Sequence, residues 1–359
     1  MKIIDDIKRS LTAENYRSTL QELQDKFSHP DISLYSYGGL DVPRSDLDTV
    51  AILSEAFPEK HVKDLYNRLN LFTSSDETKR YLFKQKVKIC PKRLWDSIFY
   101  VYPRIWQNSF RRLSGPEVTL TTPPETKEFH YMQLLDRSLI DVHDLTGLTR
   151  EGAVSLRAIL TRLHKIRKFT IPSALKLFED NDLKNMLRQL DEAQDLMISR
   201  TEPDTKTKEK LSSLLDQSYR ASKILLLRCC EEFLSKVIEV KDDRYSQDAP
   251  LGTSRFPMPA LYTCHRQAYA HMAEENSFLK RRFELGYPKY RFSIRDEAYG
   301  ELLKKQMAVV CDFEQYVSKC GVPCLMMRLA GLWHEPSYRI YLKNYLIYSA
   351  KKIRGAFLH

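Results

Sequence analysis

The sequence predicts a mainly α, multi-helical fold with helix-turn-helix elements and little β structure. Three observations carry that prediction. Glycine is scarce, 11 in 359 residues, too few for an α/β enzyme with several glycine-rich turns. Apolar residues recur mostly at the three- and four-residue spacing of an amphipathic helix. Hydrophobic residues at 43% and charged residues at 29% describe a globular chain long enough for two or three modules with cores.

The start, MKIIDDIKRSLTAENYRS, carries Asp5, Asp6 and Glu14. It has neither the apolar centre of a secretory signal nor the acid-free character of a transit peptide. Tyr16, Leu20, Leu23 and Phe27 then form one helical stripe. In SDLDTVAILSEAFPEKHVKDLYNRLNLF, Ser45 reads as an N-cap with Asp48 as its capping-box partner. Leu47, Val50 and Ala51 share a face, and Phe57-Pro58 ends that helix. A second helix follows, with Val62, Leu65, Leu69 and Phe72 inward and Lys60, His61, Lys63, Asn67 and Arg68 outward. A plain helical hairpin of an all-α fold is the alternative to a nucleic-acid-binding pair.

The next stretch, Glu77 to Arg112, is basic and aromatic. Lys79, Arg80, Lys84, Lys86, Lys88, Lys92, Arg93, Arg104, Arg111 and Arg112 are opposed only by Glu77 and Asp96. Most of the net charge of +10 lies here. Cations at this density neutralise phosphates, and the expectation is that they converge on one solvent-facing ridge. Tyr81, Phe83, Trp95, Phe99, Tyr100, Tyr102, Trp106 and Phe110 are interleaved. Exposed rings stack on bases, but at helical spacing aromatics are more often core.

Ser138 to Phe169 is a second helix-turn-helix candidate. Ser138 caps a short helix, Gly147 closes it and Thr149 caps the next, whose stripe is Leu156, Ile159, Leu160 and Leu163. Structural packing competes with DNA insertion, since Glu151 has the wrong sign for phosphate. Leu183, Leu187, Leu190, Gln194 and Met197 form a near-heptad stripe, and Leu211 to Val240 reads as a helix buried on most sides. VTLTT and KYRFSI are the strand candidates. Polar, proline-bearing stretches at Ser114–Lys127 and Lys241–Pro259 divide the chain into modules at 1–113, 128–240 and 260–359. Tyr338, Tyr341, Tyr345 and Tyr348 form a C-terminal stripe suited to a core or a protein groove.

Seven cysteines, an odd number, suit a reducing compartment better than a disulfide framework. Cys264, His271, Cys320 and Cys324 leave zinc binding open, with scattered core residues as the plainer reading. Phosphate-loop, nucleophile-elbow and zinc-protease motifs are absent, so neither an enzyme nor a cofactor is expected. No apolar run reaches the ~20 residues of a membrane span, and no membrane partner is expected.

The register D-x-x-x-V-x-x-L-x-x-x-F-P-x-K, followed by an amphipathic helix ending N-R-L, resembles the second and third helices of SANT/Myb modules. It departs from them where SLYSYGGLDVP replaces the tryptophan-bearing first helix. With the basic stretch and LTREGAVSLRAILTRL, the order is similar to the SANT-bearing subunit of the RNA polymerase I upstream activation factor. That resemblance implies a promoter-bound, non-enzymatic scaffold touching sister subunits and histones. The expected function is a nuclear, DNA-associated subunit of a transcription or chromatin complex. Its phosphate contacts would be Lys60, Lys63, Arg68, Lys79, Arg80, Lys84, Lys86, Lys88, Lys92, Arg93, Arg111 and Arg112. The alternatives are an adaptor without nucleic-acid contact, or a nucleic-acid-processing enzyme.

Overall fold

The computed structural model describes residues 2–8, 10–37, 46–83, 87–100, 110–119, 126–150, 153–193, 202–241, 264–265, 267–269, 272 and 290–320. It is mainly helical, with three small sheets in addition. The largest sheet has four strands in the order β4-β3-β2-β5. These are β2 (Ile32–Tyr37), β3 (Asp48–Leu53), β4 (Lys88–Pro91) and β5 (Phe110–Ser114). β2 is antiparallel to both β3 and β5, while β3 and β4 run parallel.

Three helices support this sheet. Helix α1 (Ala13–Phe27) opens on a Thr12–Asn15 capping box and buries the expected Tyr16, Leu20, Leu23 and Phe27. Helix α2 (Glu59–Ser74) starts after Pro58 and buries Val62, Leu65, Leu69 and Phe72, as its spacing predicts. Phe27 meets Phe72 edge-on at 5.8 Å, joining the two. Together α2 and α3 (Glu77–Leu82) form the crossover that a parallel β3–β4 pair requires.

The first helix of the predicted SANT-like pair is replaced by a strand. Asp48–Leu53 pairs along its whole length with β2. Thr49, Val50 and Ile52 are β-branched, and Val50 to Leu53 is buried throughout, a pattern that suits an inner strand better than a helix with one wet face.

The helical part begins with α5 (Lys127–Arg150), after a single turn, α4 (Lys92–Trp95). The second helix-turn-helix is also corrected. Helix α5 runs through both Ser138 and Gly147, and the space around Gly147 is open. The following helix, α6 (Leu156–Lys165), is capped by Ser155, which accepts from the Ala158 N–H, rather than by Thr149. Its stripe of Leu156, Ile159, Leu160 and Leu163 is buried as expected. A π-turn (Ile166–Thr170), α7 (Ile171–Leu175), α8 (Asn181–Glu192) and the long α9 (Thr205–Cys229) follow.

The Leu211–Val240 segment is not one buried helix. It ends as strand β7 (Ile238–Val240), and Ile224 and Leu227 of α9 are exposed. Cys229 and Cys230 are buried core residues. The KYRFSI expectation is met by β8 (Phe292–Ile294), antiparallel to β7, before the last described helix, α10 (Glu297–Cys320).

Strand pairs join segments distant in sequence. β1 (Lys2–Ile4) lies parallel to β6 (Ala153–Ser155), and β7 pairs with β8. Both pairings cross the predicted module boundaries, and one hydrophobic core runs from α1 to α10. No described helix is long and apolar enough to cross a membrane.

Candidate functional site

The basic stretch does not form a ridge among its described residues. Lys79 is mostly buried, paired with Glu22 at 2.8 Å and Asp76 at 3.3 Å, and lies 4.7 Å from the Phe72 ring. Lys88 is 2% exposed inside the sheet. These two contradict the expectation of solvent-facing phosphate contacts, because acids and rings from distant segments already hold them. Arg93 is half-exposed, 3.9 Å from Glu59 and over the Tyr316 ring. Arg68 lies 3.9 Å from Asp64. Lys60, Lys63, Arg80, Lys92, Arg111 and Arg112 are exposed. They lie apart: Lys60 and Lys63 on α2, Lys92 beyond the β4 edge, and Arg111 and Arg112 on the opposite edge strand, β5. Lys84 and Lys86 lie outside the described residues. The aromatics take the core role, with Phe83, Trp95 and Phe99 buried.

What the sheet assembles instead is a charged cluster at one end. Tyr37, the last residue of β2, is the register partner of Asp48, the first of β3. Phe110, the first of β5, partners Tyr37. Lys88, the first of β4, partners Val50, two residues from Asp48. Directly paired residues share a face and so do alternate residues along a strand. Tyr37, Asp48, Lys88 and Phe110 therefore stand on one face at one end, and Arg112 lies on that face further along β5.

The polar geometry is closed. The Lys88 ammonium lies 3.4 Å from Asp48 Oδ1, donates to the Tyr37 hydroxyl, and sits 4.7 Å from the Tyr37 ring centroid. Tyr37 stacks on Phe110 at 5.4 Å, and Trp95 meets Phe110 edge-on at 5.8 Å. Burial pushes the Asp48 carboxyl above the usual carboxylate range. Lys88 pulls it back, the Asp46 charge pushes it up, and Lys165 at the end of α6 pulls it down. Asp46 lies two residues before Asp48 in the chain, and the charges of Lys88, Asp46 and Lys165 all act on the Asp48 carboxyl at this end of the sheet. A half-buried ion pair adds little net stability over an apolar pair, so its presence at a sheet end points to a site.

Two other polar clusters are wholly interior. Arg137, Asp141 and Thr170 bond one another inside the helical part. His265 Nδ1 lies 2.7 Å from the Tyr299 hydroxyl, and Tyr269 donates to Gln306, all buried. Neither offers a ligand a way in. Among the described residues no group of three His, Cys, Asp or Glu side chains is placed to hold a metal ion. Of the zinc candidates, Cys264 and Cys320 are buried, while His271 and Cys324 lie outside the described residues.

Sequence reasoning placed Asp46 at the head of a helical register and treated Asp48 as a capping residue, so neither was read as part of a site. The signal was available: Gly38-Gly39, then Asp46-Leu47-Asp48, then the β-branched run Thr49–Leu53. Comparison with protein families, with curated proteins and with solved structures gives no match.

Proposed function

We propose that the chain is a non-enzymatic, nucleic-acid-associated subunit whose phosphate contacts centre on the end of the four-stranded sheet. The observation that supports this reading is the Lys88–Asp48 ion pair at one end of the sheet, whose carboxyl also feels the charges of Asp46 and Lys165. Lys88 is already held by Asp48 and Tyr37, so Lys165 would be the lysine that binds phosphate as a compact point charge. With Asp48 paired to Lys88, Asp46 would hold phosphate through a divalent cation that keeps water and completes its shell from the ligand. Arg112, exposed on the same face, extends the positive rim along β5. The net charge of +10 favours the approach of any polyanion. Location in a nucleus and membership of a promoter-bound assembly belong to this reading as its biological setting.

A second reading has its own observation. Paired carboxylates beside a phosphate-binding surface are the donor set of metal-assisted phosphoryl and nucleotidyl transfer. Against turnover stands Lys88, whose ammonium already neutralises Asp48. Calorimetric titration with magnesium-ATP and with short single-stranded DNA and RNA tests the first reading, which expects salt-sensitive binding without turnover. Incorporation of labelled nucleotide into an oligonucleotide would select the second. Absence of binding by all three ligands would remove both.

A further inference from the structure

We infer that the exposed face of α9 pairs antiparallel with the same face of a second copy of the chain, giving a two-fold symmetric dimer. The grounds for it lie wholly on α9 and the turn that follows, apart from the sheet end and its charges.

Of the four large apolar side chains exposed among the described residues, Ile224 at 55% and Leu227 at 45% lie one turn apart on α9. Single exposed aliphatics are ordinary on a soluble surface. These two share a line with two exposed charges, Arg220 before them and Glu231 after them. At about 100° per residue, positions 220, 224, 227 and 231 fall within an arc of about 60°. Their spacing of four, three and four is that of a seam between two paired helices. A second π-turn, Cys230–Leu234, opens the helix just before Glu231; it shifts that residue by a fraction of a turn and leaves it exposed. The other side of α9 is committed: Leu214, Leu215, Ser218, Ser222 and Leu225 are buried, and α9 packs chiefly on α5.

The order along the seam is positive, apolar, apolar, negative. Parallel pairing of two such seams would set Arg220 against Arg220 and Glu231 against Glu231. Antiparallel pairing about a point between Leu225 and Leu226 sets Ile224 against Leu227 and Arg220 against Glu231. A two-fold axis makes each of these contacts twice, which is the self-complementarity that a symmetric dimer needs. Neither charge is used within the chain, since among the described residues Arg220 and Glu231 enter no ion pair. The neighbouring Arg228 is held by Asp180 at 2.8 Å and Glu232 at 3.2 Å. Lys223, beside the seam, lies 5.0 Å over the ring of Tyr219, four residues back on its own helix. With two apolar side chains from each copy at its centre, the contact is small for a permanent interface, and the dimer should dissociate on dilution.

Sedimentation velocity of the intact chain over a concentration series tests the pairing. The wild type should show reversible monomer–dimer exchange that weakens as salt is raised. Leu227→Glu should leave a monomer. Arg220→Glu and Glu231→Arg, which place like charges against each other twice, should each weaken self-association at least about tenfold. Mixed in equal amounts, those two variants restore opposite charges at both positions and should form a heterodimer close to wild type in affinity. All three positions are at the surface, so thermal melts of the variants should match the wild type. A wild type that stays monomeric throughout the series, as expected if the seam serves a different protein or only solvent, would overturn the inference. So would a dimer that the charge variants leave intact, or a mixture that fails to restore pairing.

Discussion

Lys88 on β4 and Asp48 on β3 form an ion pair of 3.4 Å at the end of the central sheet, with the lysine almost fully buried and the aspartate about one third exposed (31%). Removing either partner leaves the other charge in a poorly hydrated place. Lys88→Met should cost about 2 kcal/mol, below the range for a fully buried pair because water reaches Asp48. Joining it with Asp48→Leu should recover much of that loss. Urea unfolding of both single variants and the double variant gives the coupling energy; strictly additive losses would mean that the two charges do not act as a pair.

Gly115 follows β5 with φ of +80°, and a Cβ there would lie 2.0 Å from the Ile32 carbonyl oxygen. No rotamer change relieves a clash between backbone atoms. Gly115→Ala should therefore destabilise by at least about 2 kcal/mol, through both the left-handed conformation and the displacement of β5 from β2. Wild-type stability in a denaturant titration would contradict this account of the turn.

Helix α6 is tied to the N-terminal segment at its start. Asp6 accepts from the Arg157 N–H at 3.0 Å and from the Ser155 hydroxyl at 2.6 Å, while the Arg157 guanidinium lies 3.7 Å over the Tyr81 ring and donates to the Tyr81 carbonyl. Arg157→Lys keeps the charge but loses the planar stack and the forked donor geometry. A loss of about 1 to 2 kcal/mol is expected, with Tyr81→Leu giving a non-additive double variant. Equal stability of Arg157→Lys and the wild type, seen in thermal melts, would show that charge alone matters there.

The pH response should have an acid limb set by carboxylates that are ion-paired when folded. Hydrogen bonds from Lys26 and then Lys79 hold Glu22 below the usual range, and the Lys79 backbone N–H, then its ammonium, does the same for Asp76. A depressed folded pKa contributes stability above the unfolded value, near about 4, and loses it as pH falls through the folded value. Glu22→Gln should therefore flatten the loss of stability below about pH 4. Since Glu22 is partly exposed, its effect at neutral pH should stay near ~0.5 kcal/mol. Parallel acid limbs for variant and wild type would reject this origin of the pH dependence.

Amphipathic stripes were the most legible part of the fold. Tyr16 to Phe27, Val62 to Phe72 and Leu156 to Leu163 are buried at the positions their spacing gives. Strand β3 was misread because Ser45 and Asp48 imitate a helix start, while the competing cue, the β-branched run from Thr49, is only a few residues long. Gly147 was misread as a helix end, although a solvent-exposed glycine can sit inside a long helix at a cost that packing of α5 outweighs. The basic stretch misled for a different reason. Linear charge density says nothing about which acids a fold brings back, and Glu22 and Asp48 reach Lys79 and Lys88 from far along the chain. The site itself joins the ends of β2, β3, β4 and β5, a convergence that only strand register reveals.

The central claim is that phosphate is held at the sheet end and not on the exterior of α2. Fluorescence anisotropy of a labelled single-stranded oligonucleotide, with magnesium present and salt varied, tests it most directly. Lys165→Met and Asp46→Asn should each weaken binding about tenfold, equivalent to about 1.4 kcal/mol, and Lys165→Met should also lower the salt slope. Lys60→Ala with Lys63→Ala should leave the affinity close to wild type. The opposite ranking, with the α2 variants losing affinity and the sheet-end variants keeping it, would contradict the account.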